Sequence, residues 1–130
     1  ALHDPLTGLA NRVLLRDHLD RALARRGRSP GTIALLFVDL DDFKRINDSY
    51  GHAAGDQILV RVAERLVDTV RAEDIVGRQS GDEFAVLLAQ VRDSEEATVS
   101  ARRILGELRR PIMLGAHSIV VGGSIGVANC

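Results

Sequence analysis

Apolar residues recur along this chain at two different periods, and the switches between them mark out its elements. Leu14, Leu15, His18, Leu19, Ala22 and Leu23 fall at roughly helical spacing, which predicts a surface helix over residues 11–26. The polar, glycine-flanked stretch 27–31 ends it. Residues 32–38 are a continuous apolar run rich in branched side chains, short enough for a central strand. A short helical turn over 42–48 follows. Gly51 separates it from a longer helix over 53–70, with Ile58, Leu59, Val62, Leu66 and Val67 on one side. Residues 75–78 and 83–89 predict two strands about a compact turn at 79–82, where Gly81 supplies backbone freedom. Ala97, Ala101, Ile104, Leu105 and Leu108 predict a third helix over 94–109 with those residues inward. Segments 111–114 and 117–121 flank Gly115-Ala116 as a further hairpin, and 124–128 continues or follows its second strand.

A hairpin set among otherwise alternating helices and strands predicts an α+β fold, sandwich-like, with a mixed central sheet flanked by helices. At 130 residues the chain suits one domain, and neither polar stretch, 25–31 or 90–96, separates pieces large enough to fold alone. Composition then narrows the function. Seventeen basic and 18 acidic residues leave a formal charge of -1, which removes the electrostatic case for a nucleic-acid-coating surface. The single Cys130 excludes an internal disulfide framework or thiolate metal cluster and suits a cytoplasmic protein. No apolar run reaches spanning length, although anchoring of a larger parent protein to the inner face of a membrane stays compatible with the chain.

The chemistry concentrates at two acidic strand ends, Phe37-Val38-Asp39-Leu40-Asp41 and Arg78-Gln79-Ser80-Gly81-Asp82-Glu83-Phe84. If the strands are neighbours, Asp39 and Asp82 converge. Carboxylates so placed repel one another unless a cation neutralises them, and an all-oxygen set suits Mg²⁺ (or Mn²⁺) rather than zinc. Asp39 could instead cap the next helix, and Asp82 with Glu83 could be a charged hairpin tip. Adjacent strand residues point oppositely, so Asp82, in the turn, is the stronger ligand candidate and Glu83 a supporting one. The turn over 40–44 offers backbone N–H groups to a phosphate, with Lys44 and Arg45 beside it, or these cations simply line a solvated face. Asn47 and Asp56 have the donors and acceptors to read a guanine edge. Locally, Asn47 could equally end the short helix and Asp56 occupy the first turn of the next.

Taken together, Asp39-Leu40-Asp41-Asp42-Phe43-Lys44-Arg45-Ile46-Asn47-Asp48, Gly51-His52-Ala53-Ala54-Gly55-Asp56 and Ser80-Gly81-Asp82-Glu83-Phe84 resemble the signatures of the GGDEF diguanylate cyclases. Asp4-Pro5-Leu6-Thr7-Gly8-Leu9-Ala10-Asn11-Arg12 resembles their N-terminal motif, and Ser124-Ile125-Gly126-Val127-Ala128 a later strand motif. The resemblance implies a nucleotide-cyclase-like core that condenses two GTP into cyclic di-GMP and pyrophosphate across a homodimer. It implies Asp39, Asp82 and the Leu40 carbonyl as metal ligands, Phe43 and Lys44 at the phosphates, Asn47 and Asp56 at guanine, and Glu83 in a less direct catalytic role. It also implies an inhibitory product site at Arg71 and Asp74, and fusion to sensory or phosphodiesterase domains.

Two departures from the family pattern matter. Ser80 stands where the signature has its first glycine; it is harmless if extended and strained if left-handed. The chain also stops at Cys130, so residues 1–130 are expected to be a single GGDEF-like domain lacking the usual final helix and strand. These departures keep a second expectation open, that of a non-catalytic domain sensing GTP or cyclic di-GMP for an attached partner domain.

Overall fold

A computed structural model describes residues 1–130. In chain order the elements are α1 (Arg12–Arg26), β1 (Ala34–Leu40), α2 (Phe43–Tyr50), α3 (His52–Thr69), β2 (Ile75–Ser80), β3 (Glu83–Leu88), α4 (Ser94–Leu108), β4 (Ile112–Leu114), β5 (His117–Ile119) and β6 (Gly123–Asn129). Four strands form a sheet in the order β2–β3–β1–β6, and β4 pairs with β5 in a separate ribbon. Helix starts follow local chemistry. Asn11 caps α1 by accepting from the Leu14 N–H, and Asp93 caps α4 by accepting from the Glu96 N–H.

Strand alternation sorts β1 between two layers. Ala34, Leu36, Val38 and Leu40 face the main core, with Ile58, Val62 and Leu66 of α3 and Ala97, Ala101, Ile104 and Leu108 of α4. On the other face, Ile33, Ala85 and Leu87 meet Leu15 and Ala22 of α1. That helix covers only the beginning of β1. Toward the strand's end the same face lies open: Phe37 is 46% exposed and Asp39 is exposed. The uncovered sheet end is where the acidic residues sit.

The α+β class, with helices flanking a central sheet, matches the expectation from sequence, but the mixed character of the sheet does not extend to its ladders. β1 is antiparallel to both β3 and β6, and β2 is antiparallel to β3. Parallel pairing is confined to the single bridge between Ala10 and Gly77. The hairpin explains this: β3 turns straight back and inserts between β2 and β1, so those two strands run the same way without touching. β1 also begins and ends two residues later than the apolar run suggests. The Thr32 hydroxyl donates to the Ser29 carbonyl (2.7 Å) in the preceding turn, while pairing on both sides carries the ladder through Asp39 and Leu40. β6 leaves the β4–β5 ribbon and pairs along β1. No helix is long and apolar enough to cross a membrane.

Candidate active site

The β2–β3 hairpin closes with Ser80 opposite Glu83, leaving a two-residue loop of Gly81 and Asp82. Gly81 has φ +39°, the left-handed first loop position that glycine adopts without a Cβ penalty. Ser80 is not left-handed; Asp42 is the chain's one non-glycine residue at positive φ. The serine is therefore accommodated in extended strand, and its hydroxyl lies 3.5 Å from the Glu83 carboxylate.

Register brings the two acidic strand ends together. Asp39 pairs directly with Glu83, one step from the buried pair Val38 and Phe84. Since Val38 and Phe84 face the core, Asp39 and Glu83 share the open face. Like charges opposite one another disfavour the sheet by about 0.2–1 kcal/mol. None of Asp39, Asp82 and Glu83 has a basic partner among the chain's ion pairs. Asp82 is half-buried in the loop, and its carbonyl accepts from the Leu40 N–H at 3.2 Å, which pins the loop to the end of β1. Asp41 is drawn elsewhere: its Oδ1 accepts from the Ser124 hydroxyl at 3.1 Å and its N–H donates to the Gly122 carbonyl at 3.3 Å.

Immediately beyond, Asp42 takes a left-handed conformation (φ 55°, ψ 24°) and starts α2 without capping it through its side chain. Such a conformation costs a non-glycine residue about 1–2 kcal/mol, and sites where ligands are held concentrate such strain. The first helical bond runs from the Ile46 N–H to the Asp42 carbonyl. The N–H groups of Phe43, Lys44 and Arg45 consequently have no acceptor within the chain. Phe43 and Ile46 are buried and anchor the helix, while Lys44 and Arg45 are exposed. Lys44 enters no ion pair, and Arg45 approaches only Asp42, at 3.9 Å.

Asn47 packs against Gly55 across the α2–α3 junction, and Asp56 is the next residue of α3. A Cβ on Gly55 would lie 1.7 Å from Asn47 Oδ1, so the close seating of Asn47 requires glycine there. Asn47 Oδ1 is buried without a hydrogen-bond partner. Asp56, next in the chain, is exposed and lines an open cleft of about 310 Å³ with Leu6, Gln57, Val60, Arg61, Met113 and Leu114.

The segment after α3 forms a second polar cluster. Asp74 Oδ2 accepts from the Arg71 N–H at 3.0 Å, closing the turn, and Oδ1 accepts from the Ala89 N–H at 3.0 Å. Asp74 thereby ties the start of β2 to the end of β3. The Arg71 guanidinium reaches Glu96 at 3.4 Å.

Sequence reasoning assigned no role to three residues that have evident ones: Asp4 and Arg78, which lie in its motifs, and Glu96, which it did not name. Arg78 donates from Nη1 to both Asp4 carboxylate oxygens at 3.2 Å and from Nε to the Gly81 carbonyl at 3.0 Å. Its backbone N–H donates to the Ala10 carbonyl at 2.9 Å. One guanidinium thus fastens the N-terminal segment to the signature loop. Burial pushes the Asp4 carboxyl up, but hydrogen bonds from the Thr7 hydroxyl and N–H, with Arg78, outweigh this and leave it below its usual range. The Asp-x-x-Thr spacing of Asp4 and Thr7 is a turn signal that could have found the first partner. The Asp93-x-x-Glu96 spacing is a helix-start signal that could have found the cap, whereas nothing local marks the pairing of Arg78 with Asp4 or of Glu96 with Arg71.

The donor set at the end of β1 can be tested against a metal. No group of three His, Cys, Asp or Glu side chains is arranged to hold an ion by itself. The available groups are carboxylates and carbonyls, with no histidine or thiolate. This suits Mg²⁺, which takes one or two carboxylates and completes its shell with water and substrate phosphates.

The profile described as "Diguanylate cyclase, GGDEF domain" matches residues 1–130. The chain is 44% identical over 128 residues to the bifunctional diguanylate cyclase/cyclic di-GMP phosphodiesterase MucR of Pseudomonas aeruginosa, covering 98% of this chain and 18% of MucR. It is 43% identical over 129 residues to the diguanylate cyclase TpbB of the same species, covering 98% of this chain and 30% of TpbB. The chain thus spans less than a third of the length of either relative. Among solved structures, a sensory box/GGDEF family protein from Caulobacter crescentus superposes with a TM-score of 0.93 at 38% identity, covering 99% of this chain and 83% of that one. The GGDEF domain of DgcB from Caulobacter crescentus, solved in complex with c-di-GMP, gives 0.89 at 31% identity, covering 100% and 78%.

Proposed function

The chain belongs to the GGDEF domain family of diguanylate cyclases, and on that footing we propose that it is the half-site of a diguanylate cyclase. Two such domains, each holding one GTP, condense their nucleotides into cyclic di-GMP. The observation that carries this reading is the register of Asp39 against Glu83, with the Asp82 loop pinned to Leu40 and the unpaired N–H groups of α2 starting after a two-residue link from β1. Negative side chains with no basic partner adjoin backbone donors with no acceptor. A nucleotide triphosphate with its divalent cation satisfies both at once.

In this reading the N–H groups of Phe43, Lys44 and Arg45 receive phosphate oxygens, with Lys44 adding a mobile positive charge. Asn47 presents its amide to guanine, held in place by Gly55, and Asp56 accepts from the base. Asp39, Asp82 and the Leu40 carbonyl hold Mg²⁺, or Mn²⁺ in its place. When bound, the ion lowers the pKa of the attacking hydroxyl and offsets charge growing on the phosphoryl oxygens. Glu83, facing Asp39, adds negative charge on the same face. Each 3′-oxygen forms a bond to the α-phosphorus of the other nucleotide as its proton passes to solvent, and each pyrophosphate leaves as the bond from that phosphorus to the α–β bridging oxygen breaks. One half-site presents one nucleotide, so a homodimer is required to bring the two reactants into apposition. The product, cyclic di-GMP, binds back at Arg71 and Asp74 as an inhibitor.

The test is to incubate full-length, dimeric protein with GTP and Mg²⁺ and detect cyclic di-GMP by mass, alongside Asp82→Ala. Product lost in that variant is the expected result. Tight nucleotide binding without turnover would instead assign the domain as a sensor. Neither binding nor product from a folded dimer would sink both readings.

A further inference from the structure

In this structure the Arg71 guanidinium already has an anion. Its Nη2 lies 3.4 Å from Glu96 Oε1, while Glu96 Oε2 accepts from the Arg92 N–H at 2.8 Å and from Arg92 Nε at 3.0 Å. The Glu96 side chain is 16% exposed against 60% for Arg71. The carboxylate is therefore the fixed member of this pair and the Arg71 guanidinium the movable one. Glu96 is fixed because it also caps its own helix: Asp93 accepts from the Glu96 N–H at 2.9 Å, and the Glu96 side chain reaches back to the preceding turn. The Arg92 N–H and guanidinium hold its carboxyl below the usual range, so it stays charged at neutral pH.

Arg71 and Glu96 together line two separate hollows. One is a cleft of about 30 Å³ lined by Asp74, Ser100 and Arg103. The other is an open depression of about 480 Å³ lined by Thr32 and Arg92. Arg71, Gln90, Val91 and Glu96 wall both.

We propose that Glu96 gates the Arg71 site, its carboxylate engaging the guanidinium as a ligand phosphate would, so that a cyclic dinucleotide binds only by exchanging this carboxylate for its own phosphodiester. The exchange joins the two clefts into one groove. It leaves no orphan charge, because Glu96 keeps Arg92 when Arg71 swings away. An exposed ion pair of this kind is weak enough to open and strong enough to tune affinity. The inference rests on reading Arg71 and Asp74 as the product site, and it assigns Glu96 the regulation of that site.

The test is calorimetric titration of cyclic di-GMP into the chain and into Glu96→Gln, Arg71→Ala and the double variant. The glutamine amide oxygen can still accept from the Arg92 N–H, so the cap survives while the negative charge is lost. Glu96→Gln is expected to bind about fivefold tighter, with Arg71→Ala much weaker. The gain must vanish in the Arg71→Ala background, since the two residues act as one unit. Unchanged or weaker binding by Glu96→Gln, with Arg71→Ala still weakened, overturns the gate and leaves the product site standing. A gain that persists without Arg71 also overturns it. Wild-type affinity in Arg71→Ala removes the product site itself and the gate with it.

Discussion

The two polar clusters of this domain are built from the same materials and left in opposite states. At the end of β1, Asp39 faces Glu83 with neither in an ion pair, and the first N–H groups of α2 have no acceptor. Around Arg71, the charges are internally paired: Asp74 accepts from two backbone N–H groups, and Glu96 is shared between Arg92 and Arg71. The first cluster is unfavourable until a ligand of complementary charge arrives. The second is satisfied without one and must be opened before it can bind. Unpaired charge therefore marks where substrate supplies the missing partner, and paired charge marks where a ligand has to compete.

Substitutions can break this contrast at several points. The largest effect is expected from Asp82→Ala, with cyclic di-GMP formation falling by on the order of a thousandfold or more, as for loss of a group aimed at transition-state charge; a steady-state rate within tenfold of wild type contradicts its role. Arg71→Ala is expected to raise the concentration of cyclic di-GMP needed for half-inhibition by about thirtyfold or more, the loss of a charge-assisted contact, read as the displacement of the inhibition curve. Gly55→Ala drives a Cβ into Asn47 and is expected to raise the KM for GTP at least about tenfold while destabilising the fold by about 1–3 kcal/mol. Gly106→Ala is its control. That helical glycine has nothing within 4 Å of its would-be Cβ, so the same change should stabilise by about 0.5–1 kcal/mol. Denaturant titrations of both variants check the signs.

The smallest effect is a pH dependence. Asp4 has a folded-state pKa below its unfolded value, so its contribution is fully present above the unfolded carboxylate range, near about 4, and is lost as pH falls through the lower folded value. Asp4→Asn should flatten the fall of melting temperature on acidification below that range, and identical acid limbs would count against the Asp4–Arg78 clasp.

Much of this was legible in the sequence because the signals are local. The apolar run before Asp39, the glycine in the 79–82 turn and the periodicity of Ile58, Leu59, Val62 and Leu66 each announce an element within a few residues. Sheet order was less legible, because only pairing energy decides that β3 inserts beside β1, and this insertion makes the ladders antiparallel. The same register sets Glu83, rather than Asp82, opposite Asp39, which alternation along a single strand could not reveal. Ser80 was undecidable from residue type alone; its extended backbone removes the strain that a left-handed position would have imposed. The pairings of Arg78 with Asp4 and of Glu96 with Arg71 escaped because the partners lie 74 and 25 residues apart in the chain.

The most direct test of the contrast is Mn²⁺ retention in the presence of GTP, followed by electron paramagnetic resonance on the wild-type chain, Asp39→Asn and Arg71→Ala. The account predicts that wild type and Arg71→Ala retain the ion alike, while Asp39→Asn loses retention and, without metal, is no less stable than wild type because the repulsion with Glu83 is gone. Equal retention by Asp39→Asn, or loss in Arg71→Ala, would contradict the assignment of the unpaired cluster as the substrate half-site.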